Sequence, residues 1–153
     1  MAETSPIRIE QHDDIALLTF DRPDKRNAMN EALVDALDAF FSKPPKGVNV
    51  VVMTGAGGHY CAGLDLAEHR DRSPEDGVYH SRNWHRVADL IEYGGLPVVS
   101  AMTGAVIGGG MEIATATHVR VADTTVRFQL PEGRRGIFVG GGATVRVGRI
   151  MGA

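Results

Sequence analysis

The chain has 153 residues, of which 43% are hydrophobic and 23% charged, and its net charge is −3; these values are typical of one globular domain. Its basic residues are scattered, so the sequence predicts no positive patch for nucleic acid or an anionic membrane. The single cysteine excludes an intrachain disulfide, and there is neither a secretory signal nor a run of about 20 apolar residues, which predicts a cytoplasmic protein outside the membrane.

The first predicted elements are a strand and a helix joined by a polar loop. The apolar run "IALLTF" (15–20) predicts the strand, and "DRPDKRNAMN" (21–30) predicts the loop. Asn30 is a suitable N-cap for the following helix, which Pro44 and Pro45 end. The apolar positions of this helix recur at helical spacing and are Leu33, Ala36, Leu37, Phe40 and Phe41.

Strands and helices continue to alternate along the rest of the chain. The runs "GVNVVVMTG" (47–55) and "LPVVSAMTG" (96–104) predict strands, the first of them buried on both faces. The region 69–93 is charged at first and then predicts a helix with one apolar stripe, made of Trp84, Val87, Ala88 and Ile91. "HVRVADTTVRFQL" (118–130) predicts one or two short strands, and "ATVRVGRIMGA" (143–153) predicts a helix. This order of elements predicts the α/β class.

Glycine is over-represented, with 19 residues that cluster between the predicted strands and favour tight turns and close backbone approach. The loop "GAGGHY" (55–60) does not complete a dinucleotide motif, because Tyr60 stands where the last glycine belongs, and no P-loop motif is present. The histidines and the single cysteine show no zinc-ligand spacing, so no metal is expected. Backbone amides in the glycine loop could activate the Cys61 thiol, but a small buried side chain is the favoured interpretation.

Two glutamates beside glycines are the candidates for chemistry. Glu112 enters the first turn of a predicted helix after "GGG" (108–110), and Glu132 follows Pro131. Each has a structural alternative, since the helix dipole favours a glutamate in the first turn and Glu132 can be an ordinary loop acid. However, a helix start without side chains exposes N–H groups that can bind an oxyanion, and "CAGLD" (61–65) offers a second such turn.

Four segments, in order and at plausible intervals, make the chain resemble the crotonase superfamily of enoyl-CoA hydratases and isomerases from about residue 20 to 150. The segments are "FDRPDKRNAMN" (20–30), "GAGGHYCAGLDL" (55–66), "GAVIGGGMEIATATHVRVAD" (104–123) and "FQLPEGRRGIFVGGG" (128–142). The resemblance implies an α/β crotonase (ClpP-like) fold, a right-handed spiral of ββα units. Residues 1–153 would be its N-terminal core domain, truncated before the C-terminal helical region that family members usually add.

The resemblance also implies roles for particular residues. Ala62 and Gly109 would donate backbone N–H groups to the thioester oxygen, and Glu112 and Glu132 would hold and activate water. Lys25, Arg26 and Ala28 would contact coenzyme A. The substrate wall along the thioester and pantetheine would continue through Gly63, Leu64 and Asp65.

The activity that this resemblance implies is hydration of an enoyl-CoA thioester, in fatty-acid or similar acyl-CoA breakdown. Both glutamates are present, whereas many isomerases of the family retain only one, and this favours hydration. One carboxylate would take a proton from the attacking water and the other would deliver a proton to Cα; we expect Glu112 to be mainly the base and Glu132 mainly the acid. The alternatives are an isomerase or another acyl-CoA enzyme of the family, and a truncated, non-catalytic acyl-CoA-binding protein.

The partners and cofactors are implied in the same way. The expected partner is an acyl-CoA substrate, whose coenzyme A is part of the substrate, so no separate cofactor is expected. The resemblance further implies a homotrimer or a dimer of trimers for the full-length form.

Some positions depart from the family pattern and leave the substrate open. His118 stands where an aspartate is common, and Val139 where a proline is common. Arg134 and Arg135 replace residues that are often apolar; they are interpreted as surface or subunit-contact residues, or as help in binding a polar or bulky acyl group or the CoA phosphates. The helix that carries Trp84 either lines the acyl pocket or is a plain core helix.

Overall fold

The structure, a computed structural model, describes residues 5–69 and 73–152. The strands of this part of the chain are β1 (Ile7–His12), β2 (Ile15–Phe20), β3 (Val50–Gly55), β4 (Val98–Met102), β5 (Ala105–Ile107), β6 (Val119–Ala122) and β7 (Arg127–Gln129). The helices are α1 (Glu31–Ser42), α2 (Leu66–His69), α3 (Pro74–Tyr93), α4 (Gly109–Ala116) and α5 (Ala143–Met151). Short 3₁₀ turns form at Pro23–Lys25, Ala56–Gly58 and Glu132–Arg135.

Five strands form the main sheet, in the order β1-β2-β3-β4-β6. The β1–β2 hairpin is antiparallel and pairs Ile7 with Phe20, whereas the other three pairs of strands are parallel. Parallel neighbours require crossover connections, which contain α1 between β2 and β3 and α3 between β3 and β4. β5 and β7 form a separate parallel pair. The predicted α/β class is therefore confirmed.

The predicted helix after the first loop is α1. Its start is as expected, but its buried face contains Val34 where Ala36 is predicted, and Ala36 is half-buried. The Asn30 side chain caps the helix by accepting a hydrogen bond from the Leu33 N–H at 3.1 Å. The buried side chains of α1 are Leu33, Val34, Leu37, Phe40 and Phe41. Each contributes about 1.5–3 kcal/mol through burial, so this face fixes α1 in the hydrophobic core, beside α3.

The strand β3 is less buried than the sequence predicts. Val51 and Met53 are fully buried, but Val50 and Val52 on the opposite face are only half-buried. The prediction of burial on both faces is therefore only partly right, because the layer over the second face is incomplete in the described residues.

The helix α3 begins with a capping box formed by Ser73 and Asp76 and has Pro74 in its first turn. Its buried stripe is Trp84, Val87, Ala88 and Ile91, as predicted. The Arg86 guanidinium joins α3 to α1 through an ion pair with Asp38 at 2.7 Å. None of the helices in the described ranges is long and apolar enough to cross a membrane.

Candidate active site

Glu112 lies in the first turn of α4, and its carboxylate points into the protein, where 4% of the residue is exposed. Its Oε2 accepts a hydrogen bond from the Trp84 indole Nε1–H at 3.1 Å. Its Oε1 accepts from the backbone N–H groups of Gly141 and, at 3.5 Å, Ala143. Three segments of the chain, namely α3, α4 and the start of α5, therefore hold this carboxylate.

Burial raises the pKa of Glu112, because a buried carboxylate loses the stabilisation that water gives its charge. The hydrogen bonds from Trp84, Gly141 and Ala143 lower this pKa, and the nearby Glu132 charge raises it. The net direction is upward, which brings Glu112 closer to the neutral range in which a general base exchanges protons.

Glu132 begins the 3₁₀ turn Glu132–Arg135 and is also buried, with 7% of the residue exposed. Among the described residues its Oε2 is buried and has no hydrogen-bond partner. The other oxygen, Oε1, lies beside the backbone of Gly108, where a Cβ atom would approach it to 2.7 Å. A buried carboxylate oxygen without a partner is unfavourable for stability and is typical of a group retained for function.

Gly109 supplies a backbone N–H beside these carboxylates because it is the first residue of α4. Gly108, directly before it, has a positive φ of 53° and turns the chain from β5 into the helix. Within the described residues, the Gly109 N–H donates to no other group. The predicted position of Gly109 at an oxyanion-binding helix start is therefore compatible with the geometry.

The second predicted donor, Ala62, requires a correction. Its N–H already donates to the Arg26 carbonyl at 2.9 Å, so it is not available for a substrate oxygen. The available N–H belongs to Leu64, two residues later. In the described part of the chain it donates to no other group, and a Cβ on Gly109 would lie 3.9 Å from it.

The pairing of Leu64 with Met29 explains which amide is left free. The Met29 N–H donates to the Gly63 carbonyl, and the Asp65 N–H donates to the Met29 carbonyl, both at 2.8 Å. Successive groups of an extended segment point to opposite sides, so the Leu64 N–H faces away from Met29 and towards Gly109. Gly63, with a φ of 87°, has room for this turn only without a side chain, since its Cβ would lie 2.7 Å from the Ile107 carbonyl oxygen.

These groups line a cavity of about 320 Å³, whose wall includes Leu64, Trp84, Gly109, Glu112, Glu132 and Phe138. A second cavity of about 310 Å³ shares Leu64, Glu132 and Ile137 with the first and also contacts Arg134 and Arg135. Both arginines are exposed. The structure therefore brings both glutamates and Gly109 and Leu64, whose N–H groups are free, to one cavity, and the two arginines line a second cavity that shares part of its wall.

The predicted CoA-contacting residues Lys25, Arg26 and Ala28 lie in the loop that packs against the 61–65 turn. Asn27 fixes this loop by donating to the carbonyls of Ala56 and His59 and by accepting the Arg22 N–H. Lys25 and Arg26 are exposed, and Ala28 is half-buried.

Asp65, which was expected to continue the substrate wall, is buried and forms an ion pair with Arg22 at 3.0 Å. Arg22 also donates to the Ala28 carbonyl, so this pair joins the two loops. The geometry gives Asp65 a supporting position rather than an open one.

Three residues that the sequence did not assign to Glu112 donate to it, namely Trp84, Gly141 and, at 3.5 Å, Ala143. A buried tryptophan usually finds a partner for its indole N–H, which is the one signal that could have indicated the first. Gly141 has no local signal beyond its place in a glycine-rich turn. A Cβ on Gly141 would clash with the Trp84 indole nitrogen and lie 3.0 Å from the carboxyl carbon of Glu112.

Cys61 is fully buried, and burial raises the pKa of its thiol to about 12. The nearby Gly63 N–H and the Arg22 charge lower this pKa but do not offset burial. A reactive thiolate is therefore disfavoured, which agrees with the interpretation of Cys61 as a small buried side chain.

The description "enoyl-CoA hydratase/isomerase" belongs to the family whose model matches residues 10–153. The short-chain-enoyl-CoA hydratase of Clostridium acetobutylicum is 31% identical over 153 residues, which cover 98% of this chain and 59% of that protein. The chain belongs to this family, the crotonase superfamily.

Solved structures agree on the fold. The enoyl-CoA hydratase of Thermoplasma volcanium superposes with a TM-score of 0.92 at 28% identity, covering 98% of this chain and 61% of that one. A candidate enoyl-CoA hydratase of Rhodopseudomonas palustris gives 0.90 at 46% identity, covering 95% and 56%. The fold is therefore the predicted crotonase fold, and the chain spans less than two thirds of the length of these relatives.

Proposed function

We propose that this chain carries the active site of an enoyl-CoA hydratase, which adds water across the 2,3 double bond of an enoyl-CoA thioester. The observation that supports this most directly is the pair of buried glutamates, Glu112 and Glu132, facing one cavity beside two backbone N–H groups. The relatives named above as enoyl-CoA hydratases support the same reaction.

In this proposal the N–H groups of Leu64 and Gly109 donate to the thioester carbonyl oxygen. Water attack at Cβ moves electron density onto that oxygen, and the two donors stabilise the resulting enolate-like charge. One such donor contributes about 3–4 kcal/mol to the transition state. Leu64 replaces Ala62 in this role, and Gly109 keeps the role that the sequence predicts.

The two carboxyl groups divide the proton transfers. Glu112 is the base, since its three N–H donors fix its direction and lower its pKa against the larger effect of burial. It accepts a proton from water as the water oxygen bonds to Cβ. When the pair holds one proton and that proton is on Glu132, Glu132 delivers it to Cα, and the electron pair of the double bond forms the new C–H bond. Proton exchange between the two acids or with water then restores the starting state.

The other family activities remain alternatives to be tested. Double-bond migration needs a proton to be removed from one carbon and returned to another, for which a single carboxylate suffices. The second buried glutamate therefore favours hydration. Contacts of Lys25, Arg26 and Ala28 with coenzyme A, and assembly as a homotrimer or a dimer of trimers, stay predictions.

The test is hydration of crotonyl-CoA, followed as loss of the enoyl-thioester absorbance. It is run on the 153-residue chain and on a fusion in which the C-terminal region of a full-length relative follows Ala153. Activity in either form is expected, with a 3-enoyl-CoA substrate as the comparison for isomerisation. If both forms are folded and neither hydrates crotonyl-CoA, the proposal is overturned.

Glutamine variants test the two carboxyl groups separately. Glu112→Gln and Glu132→Gln should each lower kcat by at least about a thousandfold, since each removes one proton-transfer group and the two act as a unit. Glu68→Gln, which changes an exposed glutamate of α2, is the matched control and should retain full activity. Near-wild-type turnover in both active-site variants would refute the assignment.

A further inference from the structure

The helix α5 carries a buried arginine, Arg146, that the proposed mechanism does not use. Its side chain is only 10% exposed, although arginine is almost never fully buried without partners. Two carboxylates of α3 accept its hydrogen bonds. Nη2 donates to Asp89 at 3.1 Å, and Nε donates to Glu92.

The third donor of Arg146 reaches towards the active site. Nη1 donates to the Gly141 carbonyl at 2.7 Å, in a buried contact. The N–H of the same residue, Gly141, donates to Oε1 of Glu112. One residue of the glycine turn Gly140–Gly142 therefore connects the buried guanidinium to the candidate catalytic base.

The glycine turn fits closely between these two groups. Gly142 has a φ of 94°, and a Cβ there would clash with Nη1 of Arg146. On the other side, a Cβ on Gly141 would clash with the Trp84 indole. A turn of three glycines has little conformational preference of its own, so its direction must come from the groups that hold it. Arg146 is the charged group that does so.

The partners of Arg146 make it a rigid anchor. Burial raises the pKa of Glu92, but the hydrogen bonds from Arg146 and Tyr93 lower it by more than burial raises it. The pKa of Glu92 therefore lies below its ordinary value, and Glu92 is ionised. A planar guanidinium with three fixed acceptors has one allowed orientation. A lysine has a single nitrogen at this position and does not reach all three acceptors in the same geometry.

We propose that Arg146 is a positioning residue for Glu112, which fixes the Gly140–Gly142 turn so that the Gly141 N–H points at the carboxylate. The catalytic consequence rests on the proposed hydratase function, whereas the effect on the carboxylate itself does not. Without this anchor the glycine turn rotates among several conformations, and Glu112 loses a backbone donor that stabilises its ionised form.

Trp84 provides a readout that is independent of activity. It is the single tryptophan of the chain, and its indole N–H donates to Glu112. The ¹H–¹⁵N signal of this indole in an NMR titration therefore follows the ionisation of Glu112. The other titratable groups near the same cavity are Glu132 and His80, and Asp89 and Glu92 lie behind the turn. Glu112→Gln should abolish the titration, and Glu132→Gln should lower its midpoint, because it removes a like charge.

The experiment compares Arg146→Met, Arg146→Lys and Arg149→Met. Arg149 lies on the same helix and is exposed, so its variant is the matched control. Loss of the Gly141 donor raises the pKa of Glu112, so Arg146→Met should move the Trp84 midpoint to higher pH. It should also lower kcat by about tenfold to a hundredfold, as expected for a lost hydrogen bond to a charged group, with KM changed less than about twofold. Arg146→Lys should recover part of both effects, and Arg149→Met should match the wild type.

The outcomes separate positioning from a purely structural tie between α5 and α3. A folded Arg146→Met variant with a lower Tm but the wild-type midpoint and kcat overturns the proposal. If that variant does not fold, Glu92→Gln and Arg146→Lys replace it, and wild-type midpoints in both overturn the proposal. If the wild-type chain shows no hydration in any form but the midpoint moves in Arg146→Met, the positioning is supported and the hydratase function fails.

Discussion

Replacing Trp84 with phenylalanine tests the geometry around Glu112 most directly. The variant keeps a buried aromatic ring on α3 but removes the indole N–H that donates to Oε2 at 3.1 Å. A hydrogen bond to a charged group contributes about 1.5–3 kcal/mol, which corresponds to roughly 10- to 150-fold in an equilibrium or a rate. Because the lost donor favours the ionised carboxylate, the pKa of Glu112 rises above its already raised value.

The expected result for Trp84→Phe is therefore a pH-dependent loss of activity. The acid limb of the kcat profile should move to higher pH, with the largest loss on its acid side and a smaller loss in alkaline solution. The smaller ring also leaves a cavity that lowers stability by about 1–3 kcal/mol, which thermal unfolding measures separately. His85→Ala, an exposed neighbour on α3, is the control. An unchanged acid limb in folded Trp84→Phe would refute the reasoning, and a loss equal at every pH would point to cavity shape instead.

Three further predictions follow from burial and backbone geometry. The pKa of Glu112 is raised by burial, so folding favours the neutral form relative to the unfolded chain. Its contribution to stability is fully present below the ordinary carboxyl pKa of about 4.3 and is lost as pH rises through the folded value. The Tm of the wild type should therefore fall relative to that of Glu112→Gln over that window, and a constant difference would contradict the sign. Gly63→Ala places a Cβ 2.7 Å from a backbone carbonyl oxygen, whereas Gly58→Ala, at a similar positive φ, meets nothing within 4 Å; both lose about 1–2 kcal/mol to strain, but only Gly63→Ala should lose kcat as well, and equal kcat in the two variants would remove the Leu64 donor from the mechanism. The buried Cys61 thiol, with its raised pKa of about 12, should react with an aromatic disulfide reagent only at the rate of unfolding, and rapid labelling of the native chain would contradict this burial.

The hypothesis that the helix carrying Trp84 lines the acyl pocket can be tested separately. Trp84 lies on the wall of the 320 Å³ cavity, so Trp84→Ala should extend the preferred acyl chain by opening that wall. The ratio of kcat/KM for enoyl-CoA substrates of increasing chain length measures this. The same ratio in the variant and the wild type would assign Trp84 to the core and to Glu112 alone.

The parts of the fold that the sequence predicts well are those in which the pattern is local. β2, α1 and the buried stripe of α3 follow from apolar spacing, caps and prolines within a few residues of each element. β1 is absent from the predicted elements because only Ile7 of its six residues is buried. β5 is absent because its three residues lead directly into the glycine turn.

The site shows the same division. Glu112, Glu132 and Gly109 are recognisable because glycines and acids stand next to each other in the chain. The error at Ala62 arose because a motif does not reveal which amide of "CAGLD" pairs with a distant segment. That choice depends on Met29 and Arg26, which lie in the loop before α1 and are separated from the 61–65 turn by α1 and β3 in the sequence. The donors from Trp84 and Gly141 to Glu112 are likewise long-range contacts that no local pattern encodes.

The way the glycine turn is held divides the chain after Glu132 into two parts that can change independently. The cavity wall includes Gly136, Ile137, Phe138 and Gly140, and Ile137 and Phe138 are exposed, so a change of length or side chain there reshapes the space proposed for the acyl group. Gly141 and Arg146, in contrast, have no freedom to change without moving the base. On the proposed function, substrate preference can therefore be redesigned by a loop exchange that ends before Gly141, which leaves the groups around Glu112 in place.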